Sequence, residues 1–316
     1  MNEKIFISIA SYRDPSLAIT IKSALHHAKN PENLVFGVAA QYYPGEMPRL
    51  DLDESQLRII YYDPDTRPGV TKVRYEISKL VYDEKYFYII DSHTLFIPGW
   101  DEMAIGYLKK AQDLSGHENV GLSGSGVFTE KEVFNLQKYF LDNLNEMEEV
   151  QDKAPIRFRS RDVEMYKTGD LTKHYHVDCS NFFTMSSFLT EVGLNQHSHF
   201  LFEEPYLSWR TFMSGWDVYT PRERYTNQSP QAYFNIVWNN DREKRDYLRP
   251  EDVDADAKQA PMLFEAFVFN NPENMFSIKN PKRSSNDFWE LAKPPEIKIN
   301  ILDNVKNSSL FEHRQK

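Results

Sequence analysis

Asp91-Ser92-His93 closes a run of five apolar or aromatic residues, Tyr86-Phe87-Tyr88-Ile89-Ile90. In an extended chain the side chains at i and i+2 point the same way. Asp91 and His93 can therefore grip one divalent ion from one side, and a mixed oxygen and imidazole set suits Mn2+ somewhat better than Mg2+. An N-capping Asp followed by a surface His is the plainer reading of the same triplet. Arg13, Lys72 and Arg74 are donors of the kind a pyrophosphate needs, Arg bidentately; surface salt bridges explain them as well, best of all Lys72. Asp14 suits a hydrogen bond to a base or ribose, or simply starts the turn before Pro15. Glu203-Glu204 opens a helix rich in Tyr, Leu and Trp. The helix dipole alone favours two carboxylates there, but one facing a sugar would accept a hydrogen bond or stabilise developing positive charge. His174-x-His176 and His197-x-His199 are further pairs of metal-binding type. Trp209 and Trp216 suit stacking on a sugar or base, and equally a core. Cys179 reads as a small buried apolar residue.

The elements that must position these residues alternate. Ile5 to Ala10 reads as a buried strand, followed by the polar loop Ser11-Tyr12-Arg13-Asp14-Pro15. Ser16 to Lys29 reads as a helix capped by Ser16, with Leu17, Ile21, Ala24, Leu25 and Ala28 on one face. Leu34 to Ala39 and Leu57 to Tyr62 are the next strands. Thr71 to Tyr82 is a helix with Val73, Ile77, Leu80 and Val81 inward, and Tyr86 to Ile90 a strand that ends at Asp91. Alternation of this kind implies an α/β fold, a Rossmann-like mostly parallel sheet flanked by helices. Ligands of such sheets sit at the carboxyl ends of strands, where Ser11–Asp14 and Asp91–His93 both fall. Gly99 to Lys153 is helical with a Gly/Ser interruption at 121–126 that suits a strand plus turn. Residues 155–180 read as a loop, Asn181 to Leu189 as a strand running into a short helix, Phe200 to Met213 as a helix and Asp217–Tyr219 as a last strand. The final 50 residues show no clear period.

Composition narrows the class. Hydrophobic residues are 41% and aromatic residues 14% of 316, enough for a core. The net charge of −10 argues against a broad basic groove for nucleic acid. The lone cysteine excludes an intrachain disulfide framework and fits a reducing compartment. The short apolar run at 5–10 is not a signal peptide, and no run of 18 apolar residues suggests a membrane span. A cytoplasmic location is expected, and with it no glycosylation at Asn227 or Asn307. Gly-x-Ser-x-Gly, a Walker motif and a helix-opening Gly-x-Gly-x-x-Gly are missing from the sequence, which disfavours hydrolase, P-loop and dinucleotide readings.

Taken in order, the segments resemble a known family. Ile5-Phe6-Ile7-Ser8-Ile9-Ala10-Ser11-Tyr12-Arg13-Asp14 is similar to the opening of the GlcNAc-transferases of the Skp1-modifying type, GT-A glycosyltransferases of family 60. Asn30 to Val38 is similar to that family's second strand. Asp91-Ser92-His93 with Phe96 and Gly99-Trp100-Asp101 resembles its metal segment. Glu203-Glu204-x-Tyr206-Leu207-Ser208-x-Arg210, followed by Gly215 to Pro221, resembles its catalytic helix and next strand, and Asp241 to Arg249 its basic segment. The resemblance runs from about residue 4 to 250. The polypeptide GalNAc-transferases share the Asp-Ser-His motif and a similar Glu-bearing helix, more distantly.

The resemblance implies a retaining transferase that moves a sugar, GlcNAc or similar, from a UDP-sugar to a hydroxyl of a protein, a glycan or a modified nucleobase. It implies a catalytic domain over residues 1–230 and an extension over 231–316 that is packed on the core and acceptor-related; truncation after about residue 260 is expected to leave donor binding intact and to damage acceptor use. Carried over, Asp91 contacts ribose and metal, His93 ligates the metal, Arg74 faces the diphosphate, and Ser11, Tyr12, Arg13, Asp14 and Ser92 hold the donor. Glu203 and Glu204 sit near sugar and acceptor as the catalytic pair. One feature departs from the pattern: such enzymes supply a third metal ligand, a His, soon after the strand ending here at Tyr219, and this chain has Thr220-Pro221-Arg222-Glu223-Arg224. His176, His199 or water would substitute for that ligand, or Arg222 or Arg224 would replace metal charge on the leaving phosphate. A protein that binds nucleotide-sugars without turnover is the competing reading.

Overall fold

The computed structural model describes residues 3–123, 171–199, 203–221, 259, 262, 263, 265–267 and 270–292. Strands β1 (Ile5–Tyr12), β2 (Leu34–Gln41), β3 (Leu57–Tyr62), β4 (Tyr86–Asp91), β5 (Val120–Ser123), β6 (Leu171–His174), β7 (Asn181–Met185) and β8 (Asp217–Pro221) form one sheet in the order β3-β2-β1-β4-β7-β5-β8-β6. The β1–β2, β2–β3, β1–β4 and β5–β8 pairings are parallel, and β4–β7, β5–β7 and β6–β8 are antiparallel. The helices are α1 (Leu17–His27), α2 (Val70–Ser78), α3 (Trp100–Ser115), α4 (Phe188–Glu191), α5 (Glu203–Met213) and α6 (Ser285–Ala292).

Strand alternation sorts the core onto two faces. Ile5, Ile7 and Ile9 of β1 pack with Leu17, Ile21 and Ala24 of α1 and with Trp100, Ala104 and Leu108 of α3. Phe6, one residue out of phase, packs on the other face with Val73 and Ile77 of α2 and with Leu207 of α5. A third cluster joins Tyr206, Trp209 and Met213 of α5 to Leu263, Ala266, Phe267, Phe276 and Phe288. The C-terminal stretch thus covers the α5 face turned away from the sheet.

Local chemistry trims the expected boundaries. Ser16 makes no side-chain cap on α1; Asp14 Oδ1 instead accepts the Ser16 N–H at 2.9 Å. The C-terminus of α1 is held by Asp101, whose carboxylate accepts the Lys29 and Asn30 amides at 2.8 and 2.9 Å, while Trp100 Nε1 donates to the Ala24 carbonyl at 2.9 Å. Helix α2 ends at Ser78 rather than Tyr82: Arg58 takes the Leu80 carbonyl at 2.5 Å and Glu84 the Tyr82 amide at 2.9 Å, leaving both unavailable to further helix. Strand β6 and helix α6 were not expected from the sequence. Trp209 and Trp216 are core, at 0% and 1% exposure, and Cys179 is buried as expected.

Candidate active site

The site lies where β1 and β4 finish side by side, Ala10 paired with Asp91, and where the antiparallel β7 begins with Asn181 opposite Ile90. The loop after β1 crosses toward β2 through Arg13, left-handed at φ 49°, whose N–H donates to the Gln41 carbonyl. This turn delivers Asp14, 3% exposed, under the end of β4. Asp14 Oδ2 accepts from Ser92 Oγ and faces His93 Nδ1, both at 2.9 Å. Burial alone would raise the Asp14 carboxyl; the hydrogen bonds from His93, Ser16 and Ser92 outweigh it and hold it well below the usual range. With Nδ1–H assigned to this bond, the His93 lone pair is on Nε2, which stands 3.6 Å from Asp91 Oδ2. A carboxylate behind an imidazole that faces a second carboxylate is how proteins orient a metal-ligating His.

Arg74 enters from α2, 4% exposed. It donates to Glu203 at 2.7 Å and to Asp91 at 3.1 Å. Burial disfavours its charge, but Glu203, Cys179 and Asp91 together raise its proton affinity. Burial likewise pushes the Glu203 carboxyl up to about 7; Arg74 opposes the shift, and the charges of Glu204 and Asp91 add to it. Glu203 and Glu204 open α5, as the dipole favours. They differ in surroundings: the Glu203 side chain is 13% exposed and locked on Arg74, whereas Glu204 is 36% exposed and faces His176, Nε2 to Oε2 3.8 Å.

The remaining residues singled out in the sequence fall around this centre. Ser11 is fully buried and meets Tyr42 Oη at 2.5 Å; since that hydroxyl gives its proton to the Asp14 carbonyl at 2.7 Å, Ser11 is the donor. Tyr12 Oη accepts from Arg67 at 3.1 Å. The Arg13 guanidinium forms a two-pronged pair with Glu46 at 2.9 and 2.6 Å and lies over the Tyr43 ring. Lys72 is exposed. His199 packs against Gly69 at the start of α2. There φ is +80° and a Cβ would lie 2.7 Å from the His199 carbonyl oxygen, so only glycine fits. His197 meets Phe276 edge-on, away from Asp91 and His93. His174 bonds Thr220 Oγ1 at 2.6 Å. Arg222 and Arg224 lie outside the described residues. His176 and Asp178 were noticed only as a metal candidate and as part of a loop; here they stand beside Glu204. Among the described residues no group of three or more His, Cys, Asp or Glu is arranged to hold a metal ion.

Among the described residues the arrangement collects Asp14, Asp91, Glu203, Glu204 and Asp178, with the buried Arg74 bridging Asp91 and Glu203. A glycosyltransferase family model, Glycosyltransferase (GlcNAc), matches residues 4–56 and 43–250. The chain belongs to this family. No curated protein matches the sequence. Among solved structures, the crystal structure of GalNAc-T7 with UDP, GalNAc and Mn2+ is similar in fold, with TM-score 0.51 and 11% identity over 99% of this chain and 57% of that one. The chain therefore spans 57% of that neighbour. As a glycosyltransferase, the protein has its family-matched stretch run from β1 past β8, so every residue of the centre lies inside it, while the segment that braces α5 lies beyond. Among the described residues of the transferase, no helix is long and apolar enough to cross a membrane.

Proposed function

We propose that this glycosyltransferase moves a sugar, GlcNAc or a close relative, from a UDP-sugar to a hydroxyl acceptor with retention of configuration, in the manner of the Skp1-modifying family. The observation that carries the reading is the buried Arg74 linking Asp91 to Glu203, with His93 set beside Asp91 by Asp14. A doubly charged diphosphate does not settle on five carboxylates unaided. The donor set fits a divalent cation, since Asp91 and His93 offer an oxygen and an imidazole nitrogen 3.6 Å apart. That cation, Mn2+ in preference to Mg2+, would be held by Asp91 and His93 and would neutralise charge on the leaving diphosphate. The fold neighbour GalNAc-T7, solved with UDP, GalNAc and Mn2+, supports a uridine nucleotide and a divalent cation in this reading.

The chain's own residues then divide the work. Arg74 keeps Asp91 and Glu203 in register and adds positive charge beside the diphosphate. Asp14 and Ser92 hold His93 from behind. Tyr12 and Arg13, at the carboxyl end of β1, border the nucleotide, with Ser11 anchoring the turn beneath them. Glu203 and Glu204 flank sugar and acceptor. The acceptor is a protein, glycan or modified-nucleobase hydroxyl, and the setting is cytoplasmic.

The test is UDP release from a panel of UDP-sugars with Mn2+, Mg2+ or EDTA. Release from one donor, fastest with Mn2+ and abolished by EDTA, is expected. His93→Ala should weaken Mn2+-dependent UDP binding by about tenfold or more; unchanged affinity in calorimetry would remove His93 from the metal. Binding of a UDP-sugar with no turnover under any condition would favour a nucleotide-sugar-binding protein.

A further inference from the structure

Helix α1 lends two hydroxyls to the loop that begins with the Asp91-Ser92-His93 triplet. Thr20 lies on the buried side of α1 with Leu17, Ile21 and Ala24, where a valine would fill the core as well. It is 1% exposed, so its hydroxyl must find partners inside the protein. Thr20 Oγ1 donates to the Ser92 carbonyl at 2.8 Å and accepts from the Thr94 amide at 2.9 Å. These groups belong to the two peptide bonds that flank His93. Three residues further along α1, Ser23 Oγ accepts the Phe96 amide at 2.9 Å, and the His27 carbonyl accepts the Gly99 amide. The loop is thus stitched along α1, and the Thr20 stitch is the one that brackets His93.

The grip of Asp91 and His93 depends on this turn. Strand β4 ends at Asp91 and the chain turns through Ser92 and His93, so strand alternation does not bring the two side chains together. The 3.6 Å approach of His93 Nε2 to Asp91 Oδ2 is set instead by the course of the turn and the orientation of the ring. Asp14 orients the ring at Nδ1. Thr94 Oγ1 ties the turn back to the Asp91 carbonyl at 2.9 Å, and Thr20 fixes both peptide groups beside His93.

We propose that Thr20 is the positioning residue of the metal grip: its hydroxyl fixes the main chain of His93 so that the imidazole and the Asp91 carboxylate meet one cation. The inference rests on the metal-dependent UDP-sugar reading above. A hydroxyl carries one proton and two lone pairs, so a single group can serve a carbonyl and an amide together. Without it, the Ser92 carbonyl and the Thr94 amide lose that partner in a buried setting, and the turn shifts to recover hydrogen bonds. His93 then moves with its backbone, although Asp14 still faces its ring. Partners that orient a metal ligand are commonly worth about 10- to 100-fold in metal affinity. Ser23 holds the same loop beyond His93, so its loss weakens the fold and spares the grip.

The experiment uses the full chain with UDP and Mn2+, below the melting transition of each variant. Free Mn2+ is counted by its electron paramagnetic resonance signal, and melting is followed by circular dichroism. Thr20→Val, which keeps the shape and loses the hydroxyl, is expected to bind Mn2+ at least about tenfold more weakly than the wild type. Thr20→Ser, which keeps the hydroxyl, is expected to stay within about twofold. Ser23→Ala is expected to melt lower and to bind Mn2+ as the wild type does. Should Thr20→Val fail to fold, Thr20→Ala against Thr20→Ser isolates the hydroxyl, with the alanine variant expected to be weaker by about tenfold. Wild-type Mn2+ affinity in Thr20→Val overturns the proposal while leaving the metal reading intact. An equal loss in Ser23→Ala does the same, since both hydroxyls would then be general braces of the loop. A wild type that takes up no Mn2+ in the presence of UDP overturns the metal reading and this proposal with it.

Discussion

Arg74 is worth more as a member of its cluster than as a charge. Breaking a buried ion pair by removing one partner costs about 3–5 kcal/mol, because the other charge stays behind. Arg74→Ala should therefore lower unfolding free energy by about 3 kcal/mol or more at pH 8, measured in urea. At pH 6 the cost should shrink. Glu203 has its folded proton affinity raised, to about 7, above the unfolded carboxyl near 4.5. Its favourable contribution is thus present at low pH and lost as pH rises through about 7, so protonation relieves the variant. An equal cost at both pH values would show that Glu203 does not carry the effect. Asp14 has the opposite sign. Its folded proton affinity is depressed, so it stabilises above the unfolded value near 4 and ceases to do so as pH falls further. The melting-temperature gap between wild type and Asp14→Asn should be steady above about pH 5 and narrow progressively below about pH 4, without closing until the pH falls through the depressed folded value. A gap that does not narrow at all between about pH 5 and about pH 2 would assign the difference to packing rather than charge.

Among the elements, those written in contiguous local patterns were legible in the sequence. The first four strands and two helices follow from β-branched runs and from apolar spacing, and they place Asp14, Asp91 and His93 at one edge. Strand β6 was not legible, because Leu171-Thr172-Lys173-His174 is four residues long and is paired with the distant β8. Helix α6 was hidden for a similar reason: its reason to exist is tertiary. Phe288, fully buried, meets Tyr175 edge-on and Phe212 at 5.6 Å. The neighbourhood of His176 and Glu204 was equally out of reach, since 28 positions of sequence say nothing of a 3.8 Å approach. Phe288→Ala should cost about 3–5 kcal/mol in chemical denaturation. A loss below about 1 kcal/mol would mean that α6 is not a true brace of α5.

At the scale of the whole molecule, the C-terminal stretch and the sheet are interlocked. Asp217, 3% exposed at the start of β8, accepts from Lys173 of β6 at 2.6 Å and from Arg283 at 2.7 Å, and His117 stands 3.3 Å away. These contacts tie the segment before α6 to the sheet as firmly as the aromatic cluster ties it to α5. They argue against the proposal that the chain beyond about residue 260 is dispensable for donor binding. Deleting residues 261–316 would uncover Tyr206, Trp209 and Met213 and strip Asp217 of Arg283. We expect that truncation to lose its near-ultraviolet circular dichroism and its UDP binding together. A truncated protein that still binds UDP with native affinity would return the tail to an accessory role.

Arg74 and Glu203 are 129 positions apart in the chain, although their side chains meet at 2.7 Å. During synthesis at about 5–20 residues per second, the arginine waits roughly 6–26 s for its carboxylate. In that interval β1 to β4 can assemble in full, with Arg74 answered only by Asp91. The nascent protein would thus pass through a stage in which the parallel half is formed and the catalytic helix is still being made. Completion of the centre then waits on synthesis of α5 and of the later C-terminal stretch that packs on it, timed by the ribosome rather than by the sheet.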